Sequence, residues 1–99
     1  MEITSREENN RTVVTLEGRL DTNTAPQLEQ FAGNLFDAGK NEILVDMEKC
    51  DFVSSAGLRV IVAMQKRVVN EGSLVFRNVQ PDVMDVFDMT GFAKILTFE

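Results

Sequence analysis

Three times along the chain an apolar, strand-like run gives way to a stretch of helical period, and each helical stretch leads into another strand-like run. A strand, a helix and a second strand in that order form a crossover, which joins parallel neighbours of one sheet and is almost always right-handed. The chain is thereby confined to an α/β fold with a mostly parallel sheet.

The elements follow from period and punctuation. Ile3 to Glu7 reads as a short strand. Glu8-Asn9-Asn10 turns it into a second strand, Thr12 to Glu17, as an antiparallel hairpin, and Gly18 reads as a stop. Thr24 as N-cap, Pro26 in the first turn and Gln27 closing a capping box open a helix carrying Leu28, Phe31, Leu35 and Phe36, which ends at Gly39. A third strand spans Glu42 to Met47. The second helix spans Leu58 to Asn70 and is closed by Gly72. A fourth strand runs from Leu74 to Asn78. Pro81 opens a third helix that Gly91 stops, and Ile95 to Phe98 is a last strand. The order is ββαβαβαβ. Val14 and Leu16 alternate with Val13, Thr15 and Glu17; Ile43, Val45 and Met47 alternate with Leu44, Asp46 and Glu48. A sheet covered on both faces has continuously apolar strands, so this alternation places the helices chiefly on one face and leaves the other more polar.

Composition narrows the functional classes. Ninety-nine residues form one domain, 1–99. A net charge of -6 repels a phosphate backbone and argues against nucleic acid as a direct partner. The chain has no histidine, which removes the usual general base, the usual zinc ligand and any Ser-His or Cys-His pair. No phosphate-binding glycine loop, metal-ligand cluster or paired acid and base is present, so no catalytic residue, metal or cofactor is expected. One cysteine, Cys50, has no internal disulfide partner, which points to a reducing, cytoplasmic compartment. The acidic N-terminal segment is not a signal peptide. The longest apolar run, Val60 to Met64, is far shorter than a membrane span, so a soluble protein without direct membrane contact is expected.

The segment Asp51-Phe52-Val53-Ser54-Ser55-Ala56-Gly57-Leu58-Arg59 links the third strand to the second helix. Loops after the carboxyl ends of parallel strands are where ligands and partners meet such folds. Ser54 and Ser55 stand where the helix begins, beside free N–H groups and the positive end of its dipole. One serine is an N-cap, or one is a regulatory phosphorylation site, and the two readings are compatible. The absence of histidine, of a nearby downstream lysine and of Gly-x-Ser-x-Gly argues against a catalytic serine.

Asp51 to Leu58 resembles the signature of the STAS domain, named for sulfate transporters and anti-sigma factor antagonists. Glu17-Gly18-Arg19-Leu20-Asp21 resembles the family's segment after the second strand, Ile43 to Asp46 its central strand, and Val86 to Ile95 its final helix-to-strand segment. The resemblance is closest to single-domain bacterial anti-sigma factor antagonists. It implies a βα superhelix with helices chiefly on one face and phosphorylation of Ser55, with Ser54 at a position that is often Asp in the family. It also implies a partner surface that includes Asp21, Ser54, Ser55, Ala56, Gly57 and Arg59. The implied partners are an anti-sigma factor that is also a serine kinase of ATPase fold, and a PP2C-type phosphatase. The unphosphorylated domain would bind the kinase and release a sigma factor; phosphorylation would end the complex. The alternative within the same fold is a subunit of an ABC-type phospholipid transport system. The sequence stops at Glu99, ahead of the family's C-terminal helix, so contacts through that helix are not expected.

Other residues keep two readings each. Asp21 either contacts the kinase or serves the turn before the first helix. Asp46 and Asp51 either orient the serine and repel a phosphate or are solvated acids. Arg59, one turn beyond Ser55, contacts the kinase or pairs with phosphoserine. Val60 and Met64 are covered by flanking helices or left open for a partner, whereas Leu58, Ile61, Val62, Val68 and Val69 suit a core face. Met84 and Met89 fill the core or form an adaptable docking surface. Cys50 reads as a small residue at a strand end rather than as a redox site.

Overall fold

The computed structural model describes residues 1–99. Five strands, β1 (Glu2–Glu8), β2 (Arg11–Leu20), β3 (Glu42–Val53), β4 (Ser73–Arg77) and β5 (Thr97–Phe98), lie in one sheet in the order of the sequence. β1 runs antiparallel to β2, and every other neighbouring pair is parallel. The helices are α1 (Ala25–Asp37), α2 (Ser55–Val68) and α3 (Pro81–Thr90), with a single 3₁₀ turn at Phe92–Lys94. Because each crossover steps one strand in the same direction, crossovers of one hand carry all three helices to the same face. The expected ββαβαβαβ order and one-sided helical layer are both observed. No helix is long and apolar enough to cross a membrane.

The core lies between that face and the helices. Val14, Leu16, Ile43, Val45, Met47, Leu74 and Phe76 from the strands meet Leu28, Ile61, Val83 and Phe87 from the helices. Phe76, Phe87 and Phe98 form a triangle of tilted rings with centroids 5.9 to 6.2 Å apart. The opposite face has no helix, yet Val13 and Leu44 on it are fully buried. Longer polar chains seal this face. Arg11 reaches Glu99 with two hydrogen bonds of 3.0 and 3.2 Å, and Arg77 pairs with Asp46 at 3.3 Å.

Several boundaries differ from expectation, each for a physical reason. Strand β3 runs on to Val53 rather than ending at Met47, because register shifts in its pairing with β2 break the two-residue alternation that would have marked it. Gly18 does not stop β2; it sits inside the strand at one of these irregularities, with φ of +114°. Helix α2 begins at Ser55, not Leu58. The capping box does not form: Thr24 donates its hydroxyl to the Arg19 carbonyl at 2.7 Å, and the Gln27 amide donates to the Met1 carbonyl at 2.9 Å. The N–H groups of Gly39 and Lys40 bond back to Phe36 and Leu35 and end α1 as expected. Gly72, in contrast, serves close packing, since a Cβ there would run into the Asn41 carbonyl. Val69 lies past the end of α2 and is 65% exposed, so it is not on the core face. Ile95 belongs to the turn before β5, and the last strand is only Thr97–Phe98. The Asn9-Asn10 turn is as expected, with both residues at positive φ, the geometry of a two-residue hairpin loop.

Two measurements check this account. Phe87→Ala removes one corner of the ring triangle and should cost about 3–5 kcal/mol in urea denaturation; a loss below about 1 kcal/mol, the size of a surface change, would contradict the packing. Asp46 is partly buried, which pushes its carboxyl up, but the Glu48 N–H, the Asn78 amide and the Arg77 guanidinium outweigh this and hold it below its ordinary range. A lowered carboxyl stabilises the fold above the unfolded pKa and loses that contribution as pH falls through the folded one. The stability gap between the native protein and Asp46→Asn should therefore be present at neutral pH and close below about pH 4, as read from denaturation across pH.

Candidate functional site

The carboxyl ends of β2 and β3 place the serines. Val53 is the last residue of β3, Leu20 of β2, and the two pair in register. The Ser54 N–H donates to the Leu20 carbonyl at 2.8 Å, so the turn into α2 is tied to β2. Ser54 has extended backbone, its hydroxyl oxygen accepts from the Gly57 N–H at 3.2 Å, and its carbonyl accepts from the Leu58 N–H at 2.9 Å. It is the N-cap of α2. Ser55 is the first helical residue and is exposed. Of the two neighbouring hydroxyls, only that of Ser54 is spent on the fold.

Gly57 is buried, and a Cβ there would lie 2.7 Å from Leu20 Cγ and 3.0 Å from the Leu20 carbonyl oxygen. Its lack of a side chain lets the first turn of α2 close onto the end of β2. Ala56 is half-buried and Arg59 is exposed one turn beyond Ser55, with no ion pair. Asp21 stands at the end of β2. Its Oδ1 accepts from the Asn23 N–H at 2.9 Å and the Thr24 N–H at 3.1 Å, and its Oδ2 lies 3.9 Å from Arg19. Burial pushes this carboxyl up; the Thr24 and Asn23 hydrogen bonds and the Arg19 charge together hold it below its ordinary range. The turn-forming role is thus visible in the geometry.

Other candidates are placed elsewhere. Asp46 points to the helix-free face, where Arg77, Asn78 and the Glu48 N–H engage it. Asp51 is exposed on β3. Val60 and Met64 are 7% and 3% exposed, covered where α1 packs against α2. Met84 packs against the core, while Met89 is 86% exposed. Cys50 is buried, and burial pushes its thiol above the ordinary range. No group of His, Cys, Asp or Glu has the numbers to hold a metal ion.

Sequence reasoning missed one feature. The Arg19 guanidinium lies 4.0 Å from the centroid of the Phe52 ring, and Phe52 remains 37% exposed beside the serine turn. The two residues face each other only because the register of β2 and β3 slips by one just before them. The signal in the sequence was an aromatic two residues ahead of Ser54, on what was read as a loop.

The STAS domain family profile matches residues 2–99. The chain belongs to the STAS domain family. Among its relatives, BtrV of Bordetella bronchiseptica, named as an anti-sigma factor antagonist, is 38% identical over 85 residues, covering 84% of this chain and 72% of that protein. The anti-sigma-B factor antagonist of Staphylococcus aureus is 27% identical over 84 residues, covering 84% and 78%. Among solved structures, an anti-sigma factor antagonist from Thermotoga maritima superposes with a TM-score of 0.92 at 16% identity, over 97% of this chain and 84% of that one. The phosphorylated form of SpoIIAA from Bacillus superposes with a TM-score of 0.74 at 18% identity, over 99% and 91%. At such identities the structural likeness speaks for the STAS fold. The curated relatives carry antagonist names, which favours that branch of the STAS family over the transporter-subunit alternative.

The division between the two serines of this STAS domain is directly measurable. Ser54→Ala removes the cap and should cost about 0.5–2 kcal/mol of stability. Ser55→Ala should stay within about 0.5 kcal/mol. Urea denaturation of both variants gives the comparison, and the reverse order would mean that the roles are exchanged.

Proposed function

We propose that this STAS domain is a regulator that works by switching partners in the cytoplasm. In its unmodified form it binds an anti-sigma factor, which is also a serine kinase of ATPase fold, and so releases a sigma factor. The kinase phosphorylates Ser55, the complex dissociates, and a PP2C-type phosphatase restores the binding form. The domain itself is a binding protein and a kinase substrate rather than an enzyme.

The observation that carries this reading is the split between adjacent hydroxyls: Ser54 holds the helix and Ser55 is exposed and free of that duty. A kinase can modify Ser55 without dismantling the cap. The added charge of about -1.5 to -2 meets the open N–H groups and positive dipole end of α2. That interaction is worth about 0.3–1 kcal/mol to the helix at an exposed site. At an interface the balance reverses, because a dianion buried without matching cations costs several kcal/mol. Binding is thereby switched while the fold is kept. Arg59, one turn beyond Ser55, Asp21 at the end of β2, and Ala56 are the residues this reading assigns to the partner's edge. Gly57 contributes by holding the turn in place.

Incubation with the kinase and ATP followed by mass spectrometry should place the phosphate on Ser55, with none incorporated in Ser55→Ala. Calorimetric titration should show the phosphorylated protein binding at least about tenfold more weakly, a change of about 1.4 kcal/mol. Its melting point should stay level or rise slightly. Phosphate on Ser54 alone, equal affinity of the two forms, or a melting point lowered by more than about 10 °C would overturn the mechanism.

A further inference from the structure

The charges on the helices are segregated. Helix α3 carries Asp82, Asp85 and Asp88 and no base, whereas α2 carries Arg59, Lys66 and Arg67 and no acid. This is a basic helix in a protein of net charge -6. Of the seven cations outside α2, five (Arg6, Arg11, Arg19, Lys40 and Arg77) pair with carboxylates and Lys49 and Lys94 do not, while none of the three on α2 is in an ion pair. At 100° per residue, Ser55, Lys66 and Arg59 fall within an arc of about 40°, with exposed Ala63 about 40° and Arg67 about 80° further round toward α1. The stripe runs along the helix from Ser55 for about 18 Å at 1.5 Å per residue. Beside it, between α1 and α2, lies a cavity of about 280 Å³ floored by Ala32, Gly33, Val60 and Met64. Arg67 is fixed at its rim by stacking on Phe36, 4.7 Å from the ring centroid. A cation held in place, rather than swinging in solvent, loses less freedom when it meets a partner.

We propose that the exposed face of α2 is the docking surface for an acidic segment of the anti-sigma factor, whose carboxylates lie along Arg59, Lys66 and Arg67 and whose apolar side chains enter the neighbouring cavity. The inference rests on the reading of Ser55 as the switch, and it says how the switch acts. Ser55 stands at the head of the stripe, one turn before Arg59. A phosphate there claims Arg59 for itself and adds negative charge where the incoming carboxylates need positive charge. Charge complementarity of this kind sets association rate and salt dependence.

Ala63 lies beside the stripe, between Arg59 and Lys66 along the helix, and is exposed, so either charge can be introduced without touching the core. Titration calorimetry with the anti-sigma factor kinase should show Ala63→Glu and Lys66→Glu binding about tenfold more weakly or worse, and Ala63→Lys binding more tightly. Affinity of the native protein should fall steeply between 50 and 300 mM salt, about the range over which the Debye length shrinks below 10 Å, and less steeply for Lys66→Glu. Asp85→Lys on α3 should bind within about twofold of native, as a surface change away from the interface. If Ser55→Glu abolishes binding but Ala63→Glu, Lys66→Glu and added salt leave it unchanged, the acidic-partner surface is overturned and Ser55 keeps its role. If the α2 variants weaken binding and Ser55→Glu does not, the surface stands and the switch reading falls. A native protein that does not bind the kinase at all overturns both.

Discussion

The arrangement depends on one constraint of chain geometry. The strands occupy the sheet in the order in which they occur in the sequence, and crossovers of a single hand then have one face to use. Three consequences follow. The hydrophobic core is one layer between sheet and helices. The parallel strands β2, β3 and β4 all finish at one edge, which is where the turn into α2 sits. The other face must be closed without a helix; Leu44 is fully buried there, and the Arg11–Glu99 and Arg77–Asp46 pairs join its strands.

Much of this was legible in the sequence because it rests on short-range regularities. Two-residue alternation identified the core face of β2 to β4, Pro26 and Pro81 marked helix starts, and Gly39 and Gly91 marked helix ends. What was not legible depends on pairing between distant segments. The second half of β3 looks like a loop because its exposed residues, Glu48-Lys49 and Asp51-Phe52, come in pairs, a spacing produced by its slipped register against β2. The capping box failed for a similar reason: Thr24 and Gln27 found better partners in Arg19 and Met1, on the strand side. The turn that carries the two serines was legible, since Ser54-Ser55-Ala56-Gly57 is a contiguous motif at a helix start. The Arg19–Phe52 stack beside it was not, since it exists only once β2 and β3 are in register.

The turn at Ser54 gives the two adjacent serines different places in the fold. Its N–H binds Leu20, its hydroxyl binds Gly57 and its carbonyl binds Leu58, so every polar group of the residue serves the fold. Gly57 completes the closure by admitting Leu20 where a methyl group would stand. The neighbouring residue is then held rigidly by a framework to which its own hydroxyl contributes nothing. Under the proposed switch, such presentation would let a modification alter recognition without altering shape.

The lone thiol carries a further consequence. Cys50 lies on β3 three residues before that strand ends at the serine turn, with no exposed surface, and its sulfur is directed at the Phe52 carbonyl. A thiol reagent in solution reaches it only when this end of the β2–β3 ladder comes apart. Its alkylation rate in the intact protein is therefore a clock for the local opening of the strand that leads into the serine turn. Because the chain has no second cysteine to confuse the reading, the same clock run with and without a bound partner reports how firmly that partner clamps the edge of the sheet.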